Sequence, residues 1–506
     1  MHPLAQANTQ PLPTPQVDWR AIAPELALLV AGVVLLLVVA FRPRTGRGVL
    51  GGLTLASLAV AAALTAWNWD LQRVAFDGAV SLDGITRYAR AVLLAVGVLA
   101  TLMVAQGDSR AGEPDDSPPE VFPLLLFALL GMVLLAAASD LLVVFIALEI
   151  LSLSLYVLAG QTRRLAAQEA AMKYFLLGAF SSAFLLYGIA LCYGATGSTN
   201  LLAIARATGD PTGDGTLLLA GVGLLAVGFC FKVSAVPFHM WTPDVYQGTP
   251  TPVAAFMAAA TKVAAFSVFL RVFSGALGGL VVSWRPVIAA VAVVTMLVGA
   301  ALAVVQTDIK RMLAYSSISH AGYLLVGVAA AATVPAGISA SMFYLLVYAF
   351  MVMGAFMVVQ YVSRLGPPDD EAIRERSSLD DYRGLARRHP WAAGLLAVFM
   401  LALTGIPPLS GFWAKYYVFL SGIEAGLTWL VVVAVISSVI SAFFYLRVLV
   451  VAYLQEPAGD AAAEPAAGRT PALGLALGLA GLLTVAIGLA PEALIAAARS
   501  AERILG

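Results

Sequence analysis

Runs of about 18 or more predominantly apolar residues recur along almost the whole chain, and each is long enough to cross a bilayer as a helix. They read as spans at 22–41, 49–69, 85–105, 121–138, 141–160, 170–193, 216–240, 251–275, 286–305, 312–331, 336–363, 390–421, 427–454 and 471–490. The expectation is an all-α polytopic membrane protein of about 14 transmembrane helices. Of the 506 residues, 61% are hydrophobic and 11% charged, far too apolar for a soluble protein. With 29 basic and 29 acidic residues there is no net charge to attract nucleic acid. Cys192 and Cys230 fall inside spans without metal-ligand spacing, and read as small buried hydrophobes. No redox centre or metal site is visible in the chain.

Residues 1–21 form a polar, Pro- and Gln-rich tail without the basic and apolar regions of a signal peptide. Residues 194–215 make a longer polar connection with room for a short surface helix. Residues 366–389 form the largest, highly charged loop, and 455–470 an Ala/Pro/Glu linker. The end, 491–506, reads as an amphipathic helix with Arg499 and Arg503 towards water. Arg42, Arg44, Arg47, Arg163, Arg164, Lys310, Arg311 and the arginines of the 366–389 loop fall on one side, which the positive-inside rule makes cytoplasmic. Both termini then face outwards. Trp67, Trp69, Trp241 and Trp284 read as interfacial anchors.

Two spans depart from this pattern. Lys232 lies in the middle of an apolar segment, although a lysine at mid-bilayer costs roughly 2.5–3.5 kcal/mol or more. Pro237, five positions on, removes the helical hydrogen bond to the Val233 carbonyl and breaks or kinks the helix. Such a break survives in a membrane only where the freed backbone is buried in protein or meets water. The 390–421 stretch is too long for one straight crossing, and Pro407 and Pro408 would free the carbonyls of Leu403 and Thr404. Lys415 follows two turns later. The breaks are an odd number of spans apart, so the two copies run in opposite senses. Inverted repeats with discontinuous helices in matching places point to a transport site at their interface. The expected organisation is 22–105 (helices 1–3), 121–275 (repeat 1, helices 4–8), 286–454 (repeat 2, helices 9–13) and 471–506 (helix 14 and the C-terminal segment).

The buried charges supply the candidate chemistry. Glu149 sits about 12 Å into its span at 1.5 Å per residue, and Lys232 is its natural partner, because charges at that depth pair or reach water. A structural ion pair and a pair that controls proton occupancy both fit. Lys262 has no acidic residue in its own span; desolvation disfavours a lysine's charged form, and a relay needs a group that gains and loses a proton. Lys415 carries the same argument. Lys173 lies near its span's end and can snorkel to the surface. His320, among serines in Ser316-Ser-Ile-Ser-His-Ala-Gly-Tyr323, is either a proton carrier or a satisfied core histidine. His239 stands beside the first break, where it can cap freed carbonyls. Asp244 reads as a turn residue that stabilises the next helix.

Three stretches carry a resemblance: Lys232-Val-Ser-Ala-Val-Pro-Phe-His-Met-Trp-Thr-Pro-Asp-Val-Tyr246, Thr307-Asp-Ile-Lys-Arg-Met-Leu-Ala-Tyr-Ser-Ser-Ile-Ser-His-Ala-Gly-Tyr323 and Gly405-Ile-Pro-Pro-Leu-Ser-Gly-Phe-Trp-Ala-Lys415. They are similar to the antiporter-like membrane subunits of respiratory complex I, over all the predicted spans. The resemblance implies that Glu149 pairs with Lys232, that Lys262 is the central relay and that Lys415 serves the outlet of a half-channel. The M branch typically has Glu at the position of Lys415, and the L branch carries a long lateral helix after its last span. Both departures favour the N branch. The resemblance further implies a bacterial plasma-membrane protein that binds no cofactor itself, with NADH, FMN, iron–sulfur clusters and quinone in partner subunits. Those partners would include M- and L-type and small membrane subunits, with protons driven by quinone reduction at a distance. Two other readings share most of these residues: a subunit of a Na+/H+ antiporter complex, and a non-transporting membrane spacer.

Overall fold

A computed structural model describes residues 17–107, 118–209, 215–365, 376–457 and 470–504. Most of the 1–21 tail, the first half of the charged 366–389 loop and most of the 455–470 linker lie outside the described residues. The first four helices are α1 (Ala23–Phe41), α2 (Arg47–Trp67), α3 (Gly84–Gln106) and α4 (Val121–Ala137). Then come α5 (Leu141–Ala159), α6 (Leu165–Thr196), α7 (Leu201–Gly209), α8 (Gly215–Lys232), α9 (Trp241–Gly248) and α10 (Thr251–Leu270). The chain continues through α11 (Val281–Val304), α12 (Ile309–Ala331), α13 (Ala336–Ser363) and the single turn α14 (Leu385–Arg388). Last are α15 (Pro390–Thr404), α16 (Ser410–Glu424), α17 (Thr428–Leu454), α18 (Pro471–Leu489) and α19 (Glu492–Arg499).

Among the described residues, 12 helices are long and apolar enough to cross a membrane, and Val121–Ala137 and Pro390–Thr404 are shorter apolar helices. Every expected span is helical. The two spans that carry the breaks are each interrupted: the helix of 216–240 stops at Lys232 and helix resumes as α9 beyond the span, and 390–421 is α15 followed by α16. Both breaks fall at the prolines and contain a cis peptide, Val236–Pro237 and Pro407–Pro408. Gly405 closes α15 at φ 90, a left-handed conformation glycine adopts without a Cβ penalty.

Burial grades inwards. Nearly every residue of α10, α12 and α13 is buried, whereas α1 and α2 bury one stripe and expose the rest. Lipid tails are as apolar as leucine, so close packing holds such helices together. Gly299 shows how: a Cβ there would stand 2.6 Å from the backbone nitrogen of Ser319, so α11 and α12 meet backbone to backbone.

The sequence reading missed a small hairpin, β1 (Arg73–Ala75) against β2 (Val80–Leu82), antiparallel with Arg73 opposite Leu82. Its face also carries α7, the short helix for which 194–215 left room. There Asn200 donates to the Gly78 carbonyl at 2.9 Å and Thr199 to Asp140 at 2.7 Å. On the opposite face Lys310 is not a loop residue as the charge count assumed: it is fully buried at the start of α12 and donates to the Thr249 carbonyl at 2.6 Å. The C-terminal segment packs on the protein, where Glu502 accepts from Ser339 at 2.6 Å.

Candidate functional site

Lys262 stands at the middle of α10, 1% exposed, and its Nζ donates to the carbonyl of Val233 at 3.1 Å. That is the carbonyl Pro237 deprives of its helical partner. The second break repeats the device: Lys415 Nζ donates at 2.7 Å to the Thr404 carbonyl freed by Pro408, and at 2.8 Å to Ser438 Oγ. Each proline therefore makes a strong acceptor inside the membrane, and a lysine occupies it. A neutral donor would do so at lower desolvation cost, so satisfying the backbone does not by itself require a cation.

The other break contacts are neutral. Trp241 Nε1 donates to the Phe231 carbonyl at 3.0 Å, Thr242 to Ser234 at 2.7 Å, and the Val236 amide to Thr295 of α11 at 3.0 Å. Trp241 is thus no interfacial anchor: it is 1% exposed and stacks on Tyr174 at 4.6 Å. Trp284 is buried as well, donating to the Leu277 carbonyl, while Trp67 and Trp69 are exposed.

Glu149 and Lys232 are close in the fold without a direct ion pair. Ser182 donates to the Glu149 carboxylate, and Lys232 Nζ donates to Ser152 at 2.9 Å and to the Tyr174 hydroxyl at 3.3 Å. In place of a direct contact with Glu149, Lys232 bonds Ser152, almost one turn after Glu149 on α5. Lys232 is 4% exposed, whereas Glu149 is half-buried. Ser152, Ser182 and Lys232 line a common cavity of about 10 Å³, room for a single water.

Between Lys262 and Lys415 lies a polar row. His320 Nδ1 is 2.6 Å from the Tyr344 hydroxyl and its Nε2 3.0 Å from that of Tyr445, which in turn bonds Ser316. Lys415 and Lys262 both lie near His320. Tyr323 donates to Ser437 at 3.2 Å, and Lys415 Nζ lies 5.2 Å from the Tyr323 ring centroid. Lys415 also borders a cavity of about 310 Å³ with Phe412, Tyr416 and Phe419. Both ring nitrogens of His320 are thus held in a hydroxyl network, an arrangement that a proton carrier and a satisfied core histidine share.

Two candidates stand outside this row. Lys173 is 42% exposed and pairs with Glu169 at 2.7 Å and Asp244 at 2.8 Å; Asp244 also holds Arg311 at 2.6 Å. Burial opposes ionisation of Asp244, but the bonds from Lys173 and Arg311 win and hold its carboxyl below the usual range. His239 is half-buried beside the break and bonds neither freed carbonyl, which Lys262 and Trp241 already hold. Sequence reading missed two deep ion pairs, Arg90–Glu25 and Arg271–Asp83. Glu25, Arg90 and Arg271, charges inside apolar runs, were the available signal; Asp83 stands just before the 85–105 span.

Two broken helices with buried lysines at their breaks, set in a bundle of membrane-length helices, define an antiporter-like transmembrane protein. The family described as NADH:quinone oxidoreductase/Mrp antiporter matches residues 138–441, and the chain belongs to it. Within that family it is 44% identical to the NADH-quinone oxidoreductase subunit N of Acidothermus cellulolyticus, covering 96% of each chain. A chain of the respiratory complex I of Thermus thermophilus, solved with bound aureothin, is 36% identical at a TM-score of 0.78, with 94% of this chain and 98% of that one covered. A chain of the Mrp complex of Dietzia sp. matches at a TM-score of 0.79 with 23% identity, covering 96% of this chain and 97% of that one, and so shares the fold.

Proposed function

We propose that this chain is a proton-translocating subunit of the membrane arm of an NADH:quinone oxidoreductase, of the subunit N type. In this reading protons pass along Glu149–Lys232, Lys262, the His320 network and Lys415, driven by quinone reduction in other chains. The carrying observation is the repeated lysine on a proline-freed carbonyl. A lysine that gives up its proton loses the donor strength that holds it there and is freed to reorient, so charge and geometry change together. Glu149 biases Lys232 across the hydroxyls of Ser152 and Ser182 rather than by contact. Asp244 and Lys173, on the face opposite the hairpin, sit where protons would be collected; His239 has only a supporting place beside the break. The two inverted repeats, 121–275 and 286–454, each supply one break.

NADH, flavin, iron–sulfur clusters and quinone belong in this reading to partner chains, and M- and L-type and small membrane subunits are its neighbours. Solubilised in mild detergent, the chain should co-purify with flavin and iron–sulfur subunits and with NADH–quinone reductase activity. Purification alone, or with antiporter subunits and Na+-dependent exchange, would refute the assignment in favour of the exchanger.

The protein lies in the plasma membrane with both termini outside, an orientation that rests on the Lys and Arg bias of the loops. Thirteen crossings then separate the N-terminus from the 455–470 linker, so cysteine labels at the two should report opposite sides. Labels on the same side would break the fourteen-crossing scheme.

A further inference from the structure

Arg271 and Asp83 form a bidentate ion pair, Nη1–Oδ2 at 2.6 Å and Nη2–Oδ1 at 2.8 Å, with 2% and 1% of the side chains exposed. Arg271 begins a π-helical turn, Arg271–Ala276, that ends α10 at the hairpin face. Its Nη2 also donates to Thr86 Oγ1 at 3.0 Å and to the Ala136 carbonyl at 3.2 Å. Asp83 is the N-cap of α3, accepting from the Thr86 amide at 3.0 Å. One guanidinium thus ties together α10, α3 and α4. Stability is a weak reason for the pair, because a buried ion pair can often be replaced by apolar residues at no loss.

Position offers a better one. Arg271 lies nine residues beyond Lys262 on the same helix, about 13 Å at 1.5 Å per residue. The stretch between them is mostly apolar and buried: Ser267 turns back onto the Val263 carbonyl at 2.6 Å, Phe269 stacks on Phe266 and Phe229, and its ring meets that of Phe273. An arginine keeps its proton at every accessible pH, and a fixed guanidinium in a pore is an electrostatic barrier to protons and cations.

We propose that the Asp83–Arg271 pair is a proton barrier, a guanidinium locked in place by its carboxylate at the end of α10 that cannot pass on a proton and so prevents protons on Lys262 from escaping to the hairpin face. Protons then leave Lys262 only sideways, towards His320 and Lys415. The inference rests on the relay reading of Lys262, and the test separates the two. The intact complex in proteoliposomes is given an imposed pH gradient without NADH, and passive proton flux is followed with a trapped pH dye.

Asp83→Asn/Arg271→Gln keeps hydrogen-bonding groups and removes both charges; its flux should rise several-fold. Arg271→Lys, which keeps a charge but one that can release its proton, should leak less than the double variant and more than wild type. Adding Lys262→Met to the double variant should return the flux to the wild-type value, because a general packing defect would leak with or without Lys262. Tightness equal to wild type in the double variant, or in Arg271→Lys if only that one assembles, overturns the barrier. So does a leak that persists without Lys262, and so does failure of every variant to assemble, which would make the pair purely structural. Whether Lys262→Met alone pumps is a separate reading, taken with turnover on.

Discussion

Lys262→Arg should assemble and lose most NADH-driven proton pumping, and quinone reduction with it if the two are tightly coupled. Arginine keeps the positive charge and much of the length, so it can still hold the Val233 carbonyl that Lys262 holds at 3.1 Å. It cannot release its proton at any accessible pH. If the lysine serves only to satisfy that carbonyl, arginine is an adequate substitute and turnover survives. If it must switch charge, arginine is a permanent block. A native gel reports assembly, and NADH oxidation with a quinone acceptor in inverted membrane vesicles reports turnover. Wild-type turnover in assembled Lys262→Arg would leave Lys262 as a backbone cap.

The second large effect is expected at Glu149, where structure and charge can also be separated. Its carboxylate accepts from Ser182 and does not touch Lys232. Glu149→Gln keeps the volume and an oxygen for Ser182, so packing should be preserved. It removes the carboxylate whose charge, among the described residues, acts on Lys232. A coupling of about 1.4 kcal/mol between the two charges already changes proton occupancy tenfold, so pumping should fall by about that factor while assembly holds. Glu149→Asp, with its shorter side chain, should recover part of the loss. Normal pumping in Glu149→Gln would reduce the Glu149–Lys232 region to packing.

The features legible in the sequence were those that act locally along the chain. Pro237 and Pro408 announce the carbonyls they release, Val233 and Thr404, and a lysine is found on each. Lys415 reaches a carbonyl within its own broken helix, so its partner is almost written beside it. What the sequence hid depends on distant packing. Arg271 finds Asp83 188 residues away, and no periodicity links them. Trp241 reads as an anchor by its place near a span end, yet it begins α9 just past the break, where its indole lies on Tyr174 and bonds the Phe231 carbonyl. Lys310 was misplaced because a basic residue at a span boundary was assigned to the loop. Depth and the resemblance both bring Glu149 and Lys232 together, and neither says that Ser152, on the same helix face as Glu149, takes the bond from Lys232.

The central claim is that protons pass through Lys262, and the ratio of protons taken up to NADH oxidised by assembled Lys262→Met in inverted vesicles tests it most directly. Methionine fills the space and removes the charge, a change the bilayer interior favours, so folding should be spared. The account predicts little residual proton uptake, with a ratio well below wild type for whatever NADH is still oxidised. A wild-type ratio at a wild-type rate would contradict it.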